Sequence, residues 1–209
     1  MGLEATIARI AQIQGLMSPL PPQQAAPATT ASTFNTALQA AGMNGIPPAP
    51  TASAAAFPVA GGTPAGQAMV NLARAEIGVA EQPPGSNDSP RISQFRQATA
   101  GAPGPGPWCA YFVSWAARES GVPIGDAGQG FGRVDDVWAW GQSAGKAIPA
   151  GSGPPQPGDL IVWDEHIGIV ESVGADGSIN TIEGNSSDKV SQRTYGTDGG
   201  GAIGYVRLG

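Results

Sequence analysis

The sequence predicts an α+β domain, with helices packed on a sequential antiparallel β-sheet, preceded by a short helix and a disordered linker rich in proline and alanine. Charge gives the first indication, because no Asp, Glu, Lys or Arg occurs between Arg9 and Arg74. Beyond that gap, the first half of the remaining segment has apolar residues at helical spacing. The second half consists of short β-rich runs separated by Gly, Asp and Asn turns.

The chain before residue 66 is predicted to be an extension of the domain. Residues 1–17 form an amphipathic helix in this interpretation, since apolar side chains recur there every three or four positions. Residues 18–65 contain nine prolines and fourteen alanines, which favours an extended linker, with a candidate short helix at 32–41. These helices could dock on a partner or be marginal helices without one, because isolated helices this short are weak in water.

The domain itself is predicted to span residues 66–209. Helices are expected over 67–77, 91–99, 107–119 and 134–143, because polar caps, a first-turn proline and terminal glycines bound these segments. Strands are expected over 160–163, 166–173, 178–183, 190–194 and 203–208.

Composition excludes several classes of function. The chain has one cysteine, so an intramolecular disulfide is impossible, and a Cys/His cluster for structural zinc is absent from the sequence. A net charge of −6 argues against nucleic acid as a partner. Every apolar run is too short for a membrane span, and the first residues lack the features of a cleaved signal peptide.

Cys109 is the first candidate for chemistry. It falls in the first turn of the predicted helix over 107–119, where unpaired N–H groups and the helix dipole favour a thiolate over a thiol. A single cysteine on an apolar helix face is, however, more often part of the core than a nucleophile. Its interpretation therefore depends on what accompanies it.

Two further residues complete a constellation. His166, the only histidine, begins a predicted strand, and histidine is the natural base for a thiol at neutral pH. Glu183 ends the next strand, and antiparallel pairing of the two strands would bring the start of one beside the end of the other. That geometry lets a carboxylate orient the imidazole ring.

The order of these segments resembles the CHAP family of cysteine, histidine-dependent amidohydrolases and peptidases, which have a papain-like fold. The similarity extends over roughly residues 66–209 and includes the segments PWCAYFVSWAARESG, QPGDLIVWDEHIGIVES and IEGNSSDKVSQRTY. The resemblance implies that Cys109 is the nucleophile, His166 the general base and then acid, and Glu183 the orienting residue. It makes Asn185 an auxiliary polar residue near the histidine.

The resemblance leaves parts of the site open. Trp108, Glu81 and Asn87 are candidates for the substrate cleft, although the turn that contains Asn87 is also typical of a helix cap. The segment GAPGPGP before the cysteine offers no side chain as a second oxyanion donor. It also lacks the aspartates through which some family members bind calcium, so we expect no metal and no cofactor.

The implied function is hydrolysis of an amide bond in peptidoglycan, by an N-acetylmuramoyl-L-alanine amidase or an endopeptidase. A catalytically idle wall-binding or assembly module and an acyl transferase are the alternatives. We expect a monomer that acts on peptidoglycan peptide stems in an extracellular or periplasmic, wall-associated location. Without a signal peptide, a secretion apparatus or phage tail is a candidate partner of the N-terminal helix.

Overall fold

The computed structural model describes residues 61–209. The helix predicted over 1–17, the linker up to residue 60 and the candidate helix at 32–41 lie outside the described residues. The elements, in chain order, are α1 (Pro64–Ala75), α2 (Pro90–Arg96), α3 (Cys109–Glu119), α4 (Val134–Ser143), β1 (Ala147–Pro149), β2 (Leu160–Val162), β3 (Ile167–Val173), β4 (Ile179–Glu183), β5 (Ser191–Tyr195) and β6 (Gly204–Val206).

The helix starts fall into two kinds. Thr63 caps α1 by accepting a hydrogen bond from the Gly66 N–H (3.0 Å), and Ser89 caps α2 by accepting one from the Ile92 N–H (3.2 Å). Both helices then begin with proline. Among the described residues, no side chain caps the first turn of α3, which begins at Cys109. The N–H groups at that helix start therefore have no side-chain acceptor.

The sheet is antiparallel, with the strand order β1-β6-β2-β3-β4-β5. Strands β2 to β5 lie side by side in chain order, and β6 returns to lie between β1 and β2. The sequence analysis did not predict β1, which has three residues and ends in Pro149. Strand β5 is the other edge of the sheet, and its three central side chains are exposed and polar.

One main core lies between the helices and one face of the sheet. Helix α3 is at its centre, since every residue from Cys109 to Ala117 is buried. Its aromatic residues pack against α2, with the Phe95 and Phe112 rings 5.3 Å apart. A smaller apolar cluster that includes Ile161 and Tyr205 covers the opposite face. Helices packed on an antiparallel sheet confirm the predicted α+β class.

Element boundaries differ slightly from the predictions. The helix expected to reach residue 99 ends at Arg96, because the chain then tightens into turns in which the Ala98 and Thr99 N–H groups bond three residues back. In residues 61–209, no helix combines the length and the apolar character that crossing a membrane requires.

Candidate active site

The β2–β3 hairpin determines the position of His166. The Trp163 N–H donates to the His166 carbonyl (2.8 Å), which leaves Asp164 and Glu165 as a two-residue turn. His166 thus lies opposite Trp163, and the two rings stack with centroids 5.6 Å apart. The histidine is held at the start of β3 by both the turn and the stacking.

Glu183 reaches His166 across the neighbouring strand. The pairing of Ile169 with Ile182 places Gly168 opposite Glu183. A Cβ atom at position 168 would lie 2.7 Å from the Glu183 Cγ, so glycine leaves the space in which the glutamate side chain extends over β3. Its Oε2 atom is 3.0 Å from His166 Nε2.

The Glu183 carboxylate is almost completely buried and fully hydrogen-bonded. Its Oε1 atom accepts hydrogen bonds from the Thr181 hydroxyl (2.6 Å) and the Tyr195 hydroxyl (2.9 Å). Burial alone would raise the pKa of Glu183, but the hydrogen bonds from His166, Thr181 and Tyr195 and the charge of His166 lower it overall. Burial and the adjacent carboxylate raise the pKa of Tyr195 to about 12.

Close packing brings β4 to the start of α3. Gly184 follows Glu183, and a Cβ atom there would lie 2.6 Å from Phe112 Cβ and 2.9 Å from the Trp108 ring. The absence of a side chain at Gly184 allows the end of β4 to approach the helix on which Cys109 is the first residue. Cys109 is 5% exposed, and its side chain lies close enough to His166 to contribute to the raised pKa of that residue. Because Nε2 faces Glu183, Nδ1 is the ring nitrogen left for the thiol.

His166 is electrostatically tuned by its two partners. Burial disfavours the imidazolium, yet the hydrogen bonds and negative charges of Cys109 and Glu183 outweigh it and raise the pKa of His166 to about 9. The ring is therefore protonated at neutral pH. An imidazolium at this position can donate the proton that a leaving amine needs.

A cavity of about 530 Å³ opens beside Cys109. One wall is the segment 103–107, in which prolines and glycines alternate. The remaining lining residues are Tyr111, Gly132, Arg133, Val134, Asp135, Asp164 and Glu165. The cavity thus joins the candidate nucleophile to a surface that has three carboxylates and one guanidinium.

Trp108, Glu81 and Asn87, the candidates for the substrate cleft, do not line this cavity. The Trp108 ring is fully buried in the core, where the removal of its large apolar surface from water stabilises the fold. Its Nε1–H donates to Glu81 Oε1 (2.9 Å), and the Asn87 N–H donates to Glu81 Oε2 (2.7 Å). Glu81 is 4% exposed and supports the residue before Cys109 from inside the protein.

Asn185 lies two residues beyond Glu183, in a left-handed turn conformation with φ of 58°. Its auxiliary role stays a prediction. Thr181 and Tyr195, both of which contact Glu183, are not among the residues predicted from the sequence. Thr181 carries a signal in the sequence, because residues two apart on a strand share a face. Tyr195 carries none until the pairing of β5 is known.

Within residues 61–209, no group of three or more His, Cys, Asp and Glu side chains is arranged so that it could hold a metal ion. Residues 101–185 match the family model described as the CHAP domain, and the matched segment includes Cys109, His166 and Glu183. No curated protein matches the chain, and no solved structure does.

Proposed function

We propose that the chain is a peptidoglycan hydrolase, because residues 101–185 match the model of the CHAP domain family, whose members are generally cysteine- and histidine-dependent amidohydrolases. In this proposal it cleaves an amide bond with Cys109 as nucleophile, as an amidase at the muramoyl–alanine bond or as an endopeptidase. Peptide stems of the wall are its substrate, and it works at the cell wall. The binding of stem peptides is assigned to the cavity beside Cys109.

One observation carries the proposal. The side chain of Cys109 interacts with the ring of His166, the ring lies 3.0 Å from the Glu183 carboxylate, and an open cavity adjoins Cys109. A nucleophile, a base that contacts it and a group that orients the base are the parts that acyl transfer through a covalent intermediate requires. A structural cysteine needs neither partner, which disfavours an idle binding module.

The reaction follows from these roles. The Cys109 thiolate attacks the amide carbonyl carbon, and His166 transfers its Nδ1 proton to the amide nitrogen as the carbon–nitrogen bond breaks. The amine leaves, and the acyl group stays on Cys109 as a thioester. A water molecule then attacks the thioester carbon while His166 accepts its proton. The carbon–sulfur bond breaks, the acid is released, and Cys109 returns to the thiolate. Glu183 stabilises the imidazolium in both steps.

The oxyanion is assigned first to the backbone N–H of Cys109. This assignment is supported by the start of α3, whose first turn has no side-chain cap within the described chain. We assign a second donor to the backbone of the facing wall. Prolines have no N–H, so in 103–107 the candidates are the N–H groups of Gly104 and Gly106.

The test is to incubate purified peptidoglycan with the wild-type chain, with Cys109→Ala, and with Thr194→Val as a control on exposed β5. We expect the wild type and the control to release fragments at equal rates. Cys109→Ala should slow release by at least about a thousandfold, because it removes the nucleophile. Mass spectrometry of the new ends distinguishes free lactyl carboxyl groups, made by an amidase, from new peptide amines, made by an endopeptidase.

Other outcomes would contradict the proposal. Unchanged release by Cys109→Ala excludes this residue as nucleophile. An intact wall after incubation with the wild type, combined with binding to it, indicates a wall-binding module. Products joined to an added amine rather than to water indicate acyl transfer.

A further inference from the structure

We propose that Thr181 and Tyr195 are positioning residues, whose two hydroxyl groups hold the Glu183 carboxylate with one oxygen directed at His166. This inference rests on the proposed function of the site, because it assigns the reaction's orienting carboxylate to Glu183. It adds two side chains to the three that form the reactive chain of groups. Neither contacts the sulfur, so they act only through Glu183.

The distribution of hydrogen bonds over the carboxylate carries the argument. Both hydroxyls donate to Oε1, at 2.6 Å from Thr181 and 2.9 Å from Tyr195. Oε2 is 3.0 Å from His166 Nε2. With both donors on one oxygen, rotation of the carboxylate would break two hydrogen bonds at once. The arrangement therefore selects one orientation of the group that faces the imidazole.

Burial makes these hydroxyls hard to replace. Thr181 is fully buried and Glu183 is 1% exposed, so solvent has little access to the carboxylate. If one donor is removed, Oε1 loses a partner inside the protein, which costs free energy unless the carboxylate takes up a proton or turns away. Either response weakens its interaction with His166.

The position of Tyr195 is itself fixed by the site. Its ring lies 5.1 Å from the ring of Trp163, which stacks on His166. The Trp163 indole N–H donates to the Gly199 carbonyl (2.9 Å), so this tryptophan is anchored at its far end. The Trp163 indole therefore contacts both Tyr195, which orients the Glu183 carboxylate, and His166, which that carboxylate orients.

The test uses the full chain with Thr181→Val and Tyr195→Phe, singly and together. The chain has one histidine and one cysteine, so an imidazole titration by NMR reports on His166 alone and alkylation by iodoacetamide reports on Cys109 alone. We expect each variant to lower the pKa of His166 by about one unit. Alkylation of Cys109 should slow at pH values between the wild-type pKa of His166 and that of the variant, where the variant loses the imidazolium and the wild type keeps it. The double variant should change both quantities further.

Matched controls separate positioning from packing. Thr181→Ser keeps the hydroxyl and should retain the wild-type values. Thr194→Val on β5 and Tyr205→Phe on β6 remove the same functional groups without removing a hydrogen bond to Glu183, and should also leave His166 unchanged. Values for Thr181→Val and Tyr195→Phe within the range of these controls would overturn the proposal.

Two complications are resolved by the design. If Thr181→Val does not fold, Tyr195→Phe decides alone, because Tyr195 is only partly buried. The titration and the alkylation need no peptidoglycan. Shifted values in a chain that does not cleave peptidoglycan therefore refute the proposed function and leave the positioning roles intact. Unshifted values in a chain that cleaves peptidoglycan refute the positioning roles and leave the proposed function intact.

Discussion

At the scale of single residues, the protonation of His166 links the site to the stability of the fold. Its pKa is about 9 in the folded protein and 6.5 for an isolated group. The imidazolium's contribution to stability is thus fully present below about pH 6.5 and is lost as the pH rises through 9. From this difference in pKa, the loss amounts to about 3 kcal/mol.

We predict that the free energy of unfolding falls between pH 6.5 and 9 in the wild type and that this fall is absent in His166→Gln. Urea denaturation at a series of pH values measures both proteins. The same decline in the two proteins would contradict the assigned pKa.

Individual residues of the site differed in how far the sequence could predict them. Cys109, His166 and Glu183 could be singled out because the first two are unique in the chain and the third ends an adjacent strand. Tyr195 could not, since its contact with Glu183 depends on the register between β4 and β5. Trp108 is a candidate for the cleft because it neighbours Cys109 in sequence, whereas the burial of its side chain in the core could not be read from that neighbourhood.

At the scale of elements, the approach of β4 to α3 decides whether the reactive groups meet. We predict that Gly184→Ala destabilises the fold by about 1 to 3 kcal/mol and slows alkylation of Cys109, because the added methyl would overlap Phe112 and force the two elements apart. Gly153→Ala is the matched control, since its Cβ would meet its nearest atom at 3.8 Å. Thermal unfolding and alkylation rates are the measurements. Equal behaviour of the two variants would show that the contact is not needed.

Elements were predictable where local chemistry marks them. Thr63 and Ser89 cap helices in the structure, and Ser89 followed by proline predicts the start of the second of these helices. The three-residue strand β1 has too little periodicity to be recognised, and it exists because it pairs with β6. The return of β6 between β1 and β2 is a nonlocal pairing, which the local sequence pattern does not encode.

At the scale of the whole molecule, the described domain contains the complete site. We predict that a chain of residues 61–209 hydrolyses purified peptidoglycan as fast as the full chain, because its core and its helix caps lie within that range. A start at residue 66 would remove the Thr63 cap and cost about 1 kcal/mol. Turbidity of a wall suspension and thermal unfolding compare the three chains.

Residues 1–60 are proposed to serve delivery through a secretion apparatus or phage tail. The truncated chain should then be active in the test tube and fail to reach the wall in cells. Slower hydrolysis by residues 61–209 would instead assign the N-terminal segment a part in substrate binding. Equal export of the truncated and full chains would exclude the delivery role.

The two edges of the sheet bear on how copies of the chain behave when they are concentrated together. An open edge strand can pair with another molecule and start a fibre. Here β1 offers only three residues and ends in Pro149, which has no N–H to donate, while Gln192, Arg193 and Thr194 give β5 a hydrated, charged edge. Such edges disfavour edge-to-edge self-association, so the domain is suited to accumulating at high local density and remaining dispersed.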